Sequence, residues 1–250
     1  MSTATTHSAA PPPLEMPFPV AGVLSLDELR RLTEVPDRRV VFRGVDWAFY
    51  EALVDSIPEG SNIHVDYDGR DVEVMGNGPD HEDLKDSLGQ FVKVVASEME
   101  IPCKGMSETT WKRPGLRRGL EADQSYYFHP DKLATVARLR RSKDVTAYPS
   151  PDLAIEVDVS RPGVDRAGIY AALNVAEIWR YEDDQVIIER LTPQGTYEAV
   201  DASGFLPVRT EEIRRWIVEE DRTDESAWDR RLRAEIRRKR GDVPPQENLP

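Results

Sequence analysis

The sequence predicts a mixed α/β fold, with a central mixed β-sheet flanked by helices. Two short apolar runs, at about 62–67 and 71–75, flank an Asp-Gly pair and are typical of a hairpin. An apolar stripe with helical spacing follows at 81–98. Further along, a strand at about 152–159, a helix at 164–173 and a strand at 177–181 have the order of a crossover unit. Such a unit places its two strands parallel in one sheet.

The other elements are assigned from periodicity and turn residues. Ser25 is a good N-cap for a short helix ending near Thr33, and apolar residues recur with helical spacing at 46–57. The segment 129–149 is polar, and we expect it to be irregular. Further strands are predicted at 104–112, 120–128 and 185–191.

The ends of the chain differ in composition from its middle. Residues 1–22 are rich in Ser, Thr, Ala and Pro, which predicts a disordered tail. The folded domain is expected at 23–208, and a charged helical extension at 209–240. An apolar seam between Ile213 and Ile236 runs along this extension, whose end is rich in arginine. Residues 241–250 are expected to form a loose tail.

Composition limits the classes of protein to consider. The net charge of −13 over 250 residues argues against broad nonspecific nucleic-acid binding but leaves room for a local basic path. The single cysteine, Cys103, excludes an internal disulfide and favours a cytoplasmic protein. We expect no membrane span and no secretory signal. Motifs of serine hydrolases and nucleotide-binding P-loops are absent from the sequence.

Three acids are predicted to share one face of the strand at 152–159. Side chains alternate along a strand, so Asp152, Glu156 and Asp158 point the same way. Two carboxylates ~4 Å apart repel by roughly 4 kcal/mol at an effective dielectric near 20. Either water screens the cluster on a solvated edge strand or a cation binds it. A parallel strand is normally covered on both faces, which favours a polar crevice over a solvated edge.

A second acidic position lies on the preceding predicted strand. Asp123 is on the face of 120–128 that can converge with Glu156. Two carboxylates from neighbouring strands suit Mg²⁺, which prefers oxygen ligands and keeps several waters. The sequence therefore indicates a magnesium site, which Mn²⁺ would also fit.

Four segments in order resemble the Uma-two family, restriction-endonuclease-like proteins of the PD-(D/E)XK nuclease superfamily. They are the Met-Gly-Asn-Gly-Pro-Asp-His-Glu run at 75–82, Leu-Glu-Ala-Asp-Gln-Ser-Tyr-Tyr-Phe at 120–128, Pro-Asp-Leu-Ala-Ile-Glu-Val-Asp-Val-Ser at 151–160 and Ile-Tyr-Ala-Ala-Leu-Asn-Val-Ala-Glu-Ile-Trp-Arg-Tyr at 169–181. No single segment is specific, but four in order with sensible spacing are fairly specific. The resemblance covers roughly residues 40–208.

The resemblance implies a restriction-endonuclease-like core of helix, three strands, helix and further strand, and a metal-dependent phosphodiesterase site. By motif, Asp123 would be the metal-binding aspartate, and Glu156 the acid of the (D/E)-x-K element. Asp152 and Glu82 would be supporting acids near the metal. His81 would either line the site at the start of the long helix or simply cap that helix.

The chain departs from the superfamily pattern at one position. Asp158 stands where the motif has lysine, and Arg166 in the following helix matches the place where relatives carry a substitute lysine. Arginine stays protonated and cannot act as a base, but it can hold a phosphate or stabilise developing charge. The resemblance therefore supports fold and metal binding better than activity.

The first functional hypothesis is an endonuclease that uses Mg²⁺ or Mn²⁺ to hydrolyse phosphodiester bonds in DNA. The metal would be held by Asp123 and Glu156, with Asp158 as an optional third ligand, and Arg166 would contact the phosphate. Basic residues would position the DNA backbone. These substrate-binding candidates are Lys112, Arg113, Arg117 and Arg118, with a second basic patch at 138–143.

Other readings stay open at this stage. A catalytically inactive nuclease-like binding or assembly protein is the main alternative, and hydrolysis of a small phosphoester is a third. Trp111, Tyr126 and Tyr127 could stack on bases, although core positions fit them better. The resemblance and the apolar seam also favour a homodimer.

Overall fold

The structure, a computed structural model, describes residues 12–16, 24–58, 60–107, 109–140, 142 and 144–242. Most of the predicted tails at 1–22 and 241–250 lie outside these residues. The chain divides into two compact units, each built on one six-stranded sheet. The first unit comprises Met1–Glu82, Thr110–Glu121 and Asp158–Asn174, and the second comprises Asp83–Thr109, Ala122–Val157 and Val175–Pro250.

Helices and strands both contribute to each unit, which confirms the mixed α/β class. The helices are α1 (Leu26–Leu32), α2 (Trp47–Ser56), α3 (Pro79–Glu98), α4 (Pro130–Leu139), α5 (Arg166–Ala172), α6 (Thr210–Arg214) and α7 (Glu225–Asp242). The strands are β1 (Leu14–Met16), β2 (Arg39–Phe42), β3 (Ile63–Tyr67), β4 (Val72–Gly76), β5 (Lys104–Gly105), β6 (Thr109–Arg113), β7 (Arg118–Ala122), β8 (Gln124–Tyr127), β9 (Leu153–Asp158), β10 (Glu177–Glu182), β11 (Gln185–Leu191) and β12 (Tyr197–Val200).

The sheet of the first unit has the strand order β1-β2-β4-β3-β7-β6. The predicted hairpin is confirmed, since β3 and β4 pair antiparallel around a turn in which Gly69 has a φ of 95°. Strand β2 was not predicted from the sequence, and it pairs with β4 along its whole length. Strand β1, at 14–16, pairs parallel with β2 and lies within the segment expected to be a disordered tail.

The core of the first unit packs α1 and α2 against this sheet. Ser25 caps α1 through a capping box with Glu28, as predicted, and Asp46 accepts the amide of Phe49 at the start of α2. Both caps satisfy amides that a helix leaves unpaired at its N-terminus. The fully buried members of this core are Leu29, Val40, Tyr50, Leu53, Val72 and Val74.

The sheet of the second unit has the strand order β12-β11-β10-β9-β8-β5. Strand β9 lies inside this sheet, between β10 and β8, and all six of its residues are buried. The solvated-edge interpretation of the acidic strand is therefore wrong. Strands β9 and β10 are neighbours in this sheet and are joined through α5, which agrees with the predicted crossover unit.

Three predicted segments take a different form in the structure. The single strand expected at 120–128 is interrupted at Asp123, so that β7 belongs to the first sheet and β8 to the second. The Asp123 side chain accepts the backbone amide of Val157, and such side-chain bonds compete with a regular ladder. The strand expected at 104–112 is likewise two strands. The polar segment after residue 129 contains α4, which begins with Pro130 at a helix-favouring first position.

The C-terminal extension is helical, as predicted, but its apolar seam is covered within the chain. It consists of α6, a π-helical turn at Arg215–Glu219 and α7. The Trp216 and Trp228 rings meet edge to face, 5.9 Å apart. The seam residues Ile213, Trp216, Ile217, Trp228, Leu232 and Ile236 are at most 3% exposed. The seam is thus no argument for a homodimer.

Arginines at the end of α7 pair with acids. Arg233 and Arg237 both bind the carboxylate of Glu98 on α3, at 2.9 and 2.7 Å. Lys239 binds Glu212, and Arg240 binds Glu100. This basic run therefore contributes to packing inside the second unit. Among the described residues, no helix is both long enough and apolar enough to cross a membrane.

Candidate functional site

Asp123 and Glu156 occupy neighbouring backbone positions in the second unit. Ser125 of β8 stands directly opposite Ala154 of β9 in the antiparallel register. Extending this register two residues back from Ser125 and two residues on from Ala154 places Asp123, just before β8, across from Glu156. Both are buried, with exposures of 1% and 3%, and an Asp123 oxygen accepts the Val157 amide at 2.7 Å. This register is consistent with the predicted convergence of the two acids, and their role as metal ligands stays a prediction.

This pair suits a divalent cation better than it suits an apolar core. Carboxylates ~5 Å apart repel by about 3 kcal/mol at an effective dielectric near 20, which a bound cation would relieve. Within the described ranges, no three His, Cys, Asp or Glu side chains come together as a ready-made metal site. Mg²⁺ needs no such cage, because it is commonly bound by one or two carboxylates together with waters and substrate phosphates. Asp123 and Glu156 therefore fit Mg²⁺ as a two-carboxylate set.

Asp152 anchors a helix instead of facing this pair. One of its oxygens accepts the amides of Phe128 and His129 at 2.7 and 2.9 Å, and the other binds Lys132 at 2.7 Å. Burial raises the pKa of Asp152, but these amides and the lysine outweigh it, so its pKa lies below the ordinary value. Both oxygens are thus used at the start of α4, and these contacts do not support Asp152 as a supporting metal ligand.

Asp158 belongs to a buried ionic cluster in the first unit. Its Oδ1 accepts hydrogen bonds from Arg39 Nη2 at 2.8 Å and from Arg166 Nη1 at 3.1 Å. Arg39 also pairs with Glu73, and Arg166 Nε lies 3.0 Å from Asp66 Oδ2. All five side chains are at most 9% exposed. We call Arg39, Asp66, Glu73, Asp158 and Arg166 the buried ionic cluster.

The buried ionic cluster constrains two predicted roles. The Asp158 carboxylate pairs with two guanidinium groups, so binding a metal would require these ion pairs to open, and its role at the metal stays a prediction. Arg166 binds two carboxylates, so a contact with a phosphate would require these ion pairs to open, and its phosphate role stays a prediction. Within the cluster, burial raises the pKa of Asp66 to about 6, with Arg166 opposing and Glu73 adding to the rise.

His81 and Glu82 occupy the first turn of α3, in the first unit. His81 is 1% exposed, and its ring meets that of His64 edge-on at 6.4 Å. The amide nitrogen of Asn77 lies 2.9 Å from both Glu82 Oε1 and His64 Nε2. A histidine this buried is not presented to a substrate in this structure. Glu82 keeps 43% of its side chain exposed and stays a predicted supporting acid.

The four predicted basic residues surround one turn of the first unit, between β6 and β7. The turn contains a 3₁₀ segment at Pro114–Leu116, followed by Arg117 with a left-handed φ of 48°. Arg117 is exposed, whereas Lys112, Arg113 and Arg118 are partly exposed. The second patch is only partly described: Arg138 and Arg140 lie at the end of α4, whereas residues 141 and 143 lie outside the described part of the chain.

Several other candidates are packing residues. Trp111, Tyr126 and Tyr127 are at most 1% exposed, so the core interpretation of these aromatic residues is confirmed. The Tyr126 hydroxyl donates to the carbonyl of Gly89. Cys103 is half-buried, and burial raises the pKa of its thiol, which disfavours a thiolate nucleophile.

The sequence analysis did not identify several polar residues that are buried in the structure. Arg39, Asp66 and Glu73 belong to no motif, and their partners are distant in the chain. Lys85 on α3 is 4% exposed, and a signal for it existed: it lies four residues after His81, on the inward face of the helix. A buried lysine in the same unit as Asp123 and Glu156 is a group that the motif comparison did not use.

A comparison with known protein families matches the part of the chain that contains the four segments carrying the resemblance. The family model Uma2, described as "Putative restriction endonuclease", matches residues 47–217, which is more than half of the chain. The match contains Asp123, Glu156, Asp158 and Arg166. No curated protein matches the chain.

Proposed function

This chain belongs to the Uma2 family of restriction-endonuclease-like proteins, and from that premise we propose that it is a metal-dependent endonuclease hydrolysing phosphodiester bonds in DNA. The mixed α/β fold with two mixed sheets is consistent with this family. The proposal names Mg²⁺ as the metal, with Mn²⁺ as a substitute.

One observation carries the proposal: two buried carboxylates, Asp123 just before β8 and Glu156 on β9, stand across from each other when the β8–β9 register is extended by one residue pair. Carboxylate oxygens are the ligands that Mg²⁺ prefers, and one or two of them together with waters and a substrate phosphate are enough to bind it. Mg²⁺ held in this way would also offset the repulsion between the two acids.

The chain's own residues set up the reaction geometry. The Val157 amide fixes one oxygen of Asp123, so that the other oxygen has a defined direction. Glu156 is held on a strand that is buried along its whole length. When bound, the metal would polarise the scissile phosphate and lower the pKa of an attacking water. The basic turn between β6 and β7 would neutralise backbone phosphates.

Plasmid cleavage tests the proposal. We expect the full-length protein to nick supercoiled DNA with Mg²⁺ or Mn²⁺ and to stop when the metal is chelated. Asp123→Asn and Glu156→Gln should each reduce the rate by more than about 100-fold, because even outer partners of metal sites typically contribute 10- to 100-fold. Glu198→Gln, an exposed acid on β12, is the matched control and should cleave normally. Cleavage that survives in both acid variants would disprove the assignment.

A second function has its own observation in favour of it. Asp158 replaces the motif lysine and is bound by two arginines, which fits a nuclease-like protein that binds partners without turnover. Such a protein would bind DNA but leave it intact with either metal. Binding without cleavage by the wild-type protein would therefore favour this alternative.

A further inference from the structure

The hairpin formed by β6 and β7 has a rigid base. Trp111 and Leu120 are at most 1% exposed, and Gly119 lies against the Tyr50 ring so closely that an added Cβ would come 2.2 Å from its hydroxyl oxygen. The Arg118 guanidinium covers Gly69 in the neighbouring β3–β4 turn. Strand β6 is also the edge strand of its sheet. The base therefore holds the turn in a fixed position.

The tip of the same hairpin is exposed and apolar. Leu116 is 50% exposed, and Pro114 and Gly115 before it are exposed as well. Apart from its two chain neighbours, no atom of the described residues lies within 4 Å of where a Cβ on Gly115 would be. A single exposed leucine is ordinary on a protein surface, so its surroundings decide what it means.

Those surroundings are strongly basic. The segment 112–118, which we call the basic hairpin tip, carries Lys112, Arg113, Arg117 and Arg118 and no acid, in a chain whose net charge is −13. Arg117 follows Leu116 directly and holds a left-handed conformation, with its amide bonded to the Pro114 carbonyl at 3.1 Å. These four positively charged side chains lie in the same short segment as the exposed Leu116. Such a segment complements a polyanion that also offers an apolar space for the leucine side chain.

We propose that the basic hairpin tip inserts Leu116 between base steps of duplex DNA while its cations hold the flanking phosphates. Aliphatic wedges of this kind enter the minor groove, partly unstack a step and bend the duplex. The inference rests on the proposed function, because it takes DNA as the substrate, and it adds that the substrate is double-stranded and deformed on binding.

Duplex DNA fits this tip better than single-stranded DNA. Single-strand binding relies on aromatic side chains that stack on bases. Across the described residues, the large exposed apolar side chains are Leu14, Val35 and Leu116, none of them aromatic. Trp111, the aromatic residue of this hairpin, is buried in its base.

The test is a binding measurement without metal, so that cleavage plays no part. A fluorescein-labelled duplex of about 30 base pairs is titrated with the full-length protein in EDTA, and anisotropy is recorded over a range of salt concentrations. Arg117→Asn removes the charge and keeps a residue that tolerates the left-handed conformation. It should weaken binding severalfold and reduce the log–log salt slope by about one. Arg30→Gln, an exposed arginine on α1, is the matched control and should change neither.

Insertion itself has a separate readout. A duplex carrying 2-aminopurine should brighten on binding to wild type because the base unstacks. Leu116→Ala should lose most of this rise while keeping the salt slope, and Val35→Ala, a comparably exposed control, should keep the rise.

Any of three results would overturn the proposal: no duplex binding by wild type, an unchanged rise with Leu116→Ala, or tighter binding to single strands than to duplex. Binding with insertion but no cleavage would leave the hairpin inference standing and reject the nuclease. Cleavage by the wild-type protein, together with hairpin variants that bind duplex DNA like wild type, would support the nuclease and reject the hairpin inference.

Discussion

The side chain of Asp123 accepts the backbone amide of Val157 at 2.7 Å, which ties the break between β7 and β8 to the C-terminal end of β9. Val157 follows Glu156 directly, so this bond fixes one candidate acid against the residue beside the other. The break in the predicted strand thus falls at a residue whose side chain bonds the backbone, a bond that competes with a regular ladder.

Asp123→Asn should reduce cleavage without destabilising the protein. Asp123→Asn keeps an oxygen that can accept the Val157 amide and removes like-charge repulsion with Glu156. We expect its melting temperature in EDTA to stay equal to or rise above that of wild type. Asp123→Ala leaves that amide unsatisfied and should lose about 1–3 kcal/mol of unfolding free energy. Thermal unfolding without metal checks the order, and a large loss in Asp123→Asn would contradict it.

Gly119 and Gly115 form a matched pair for testing the rigidity of the β6–β7 hairpin. A Cβ on Gly119 would lie 2.2–2.8 Å from atoms of the buried Tyr50 side chain, whereas one on Gly115 would meet no described residue within 4 Å except its chain neighbours. Gly119→Ala should therefore lose about 1–3 kcal/mol by overpacking, and Gly115→Ala should be within about 0.5 kcal/mol of wild type. Urea unfolding measures both. Equal stability of the two variants would show that Tyr50 moves aside freely.

Arg39 should be among the most sensitive positions for stability. Its guanidinium contacts Glu73 and Asp158 and donates to Ser160, all of them buried. Arg39→Ala leaves two buried carboxylates with less compensation, and removing one partner of a buried pair typically costs about 3–5 kcal/mol. Arg30→Ala on the surface should cost less than about 1 kcal/mol. If Arg39→Ala does not fold, Arg39→Lys should show a smaller loss in urea unfolding; wild-type stability in Arg39→Lys would argue against a role for the forked guanidinium geometry.

Asp66 should make stability depend on pH. Its pKa is raised to about 6 in the folded protein, from an ordinary value of 3.8. A raised pKa contributes stability that is full below the unfolded value and is lost as pH rises through about 6. Relative to Asp66→Asn, wild type should therefore lose roughly 2–3 kcal/mol of unfolding free energy between pH 4 and pH 7.5. Urea unfolding of both proteins at the two pH values measures this difference. A constant difference would show that Asp66 does not titrate in this range.

Local patterns predicted the elements well. The Asp-Gly turn located the β3–β4 hairpin, helical spacing located α3 within two residues, and alternation on two strands brought Asp123 towards Glu156. These signals involve residues close in sequence, or parity along a strand, and both can be read from the chain alone. Strand β2 is missing from the prediction because its short run of Val40-Val41-Phe42 lacks alternation.

The buried ionic cluster could not be predicted in the same way. Arg39 finds Glu73 at a separation of 34 residues and Asp158 at 119. No periodicity links residues so far apart, and the acids looked like metal ligands because their partners were unknown. Likewise, the arginine-rich end of α7 looked like a solvated or nucleic-acid-binding run until its carboxylate partners on α3 were located. Ion pairs between residues far apart in the chain are therefore the part of the structure that the sequence did not predict.

The packing of α7 determines how far the smallest independently folding part of the chain must extend. The family match stops at residue 217, yet Trp228 donates to the Trp216 carbonyl at 3.0 Å, and Leu232 and Ile236 are buried. A fragment trimmed to residues 47–217 would uncover this tryptophan-lined seam and leave Glu98 without its two arginines. It would also lack β2 and Arg39. The described parts of both flanks beyond the family match therefore belong to the packed protein, and truncation to residues 47–217 should yield an insoluble product.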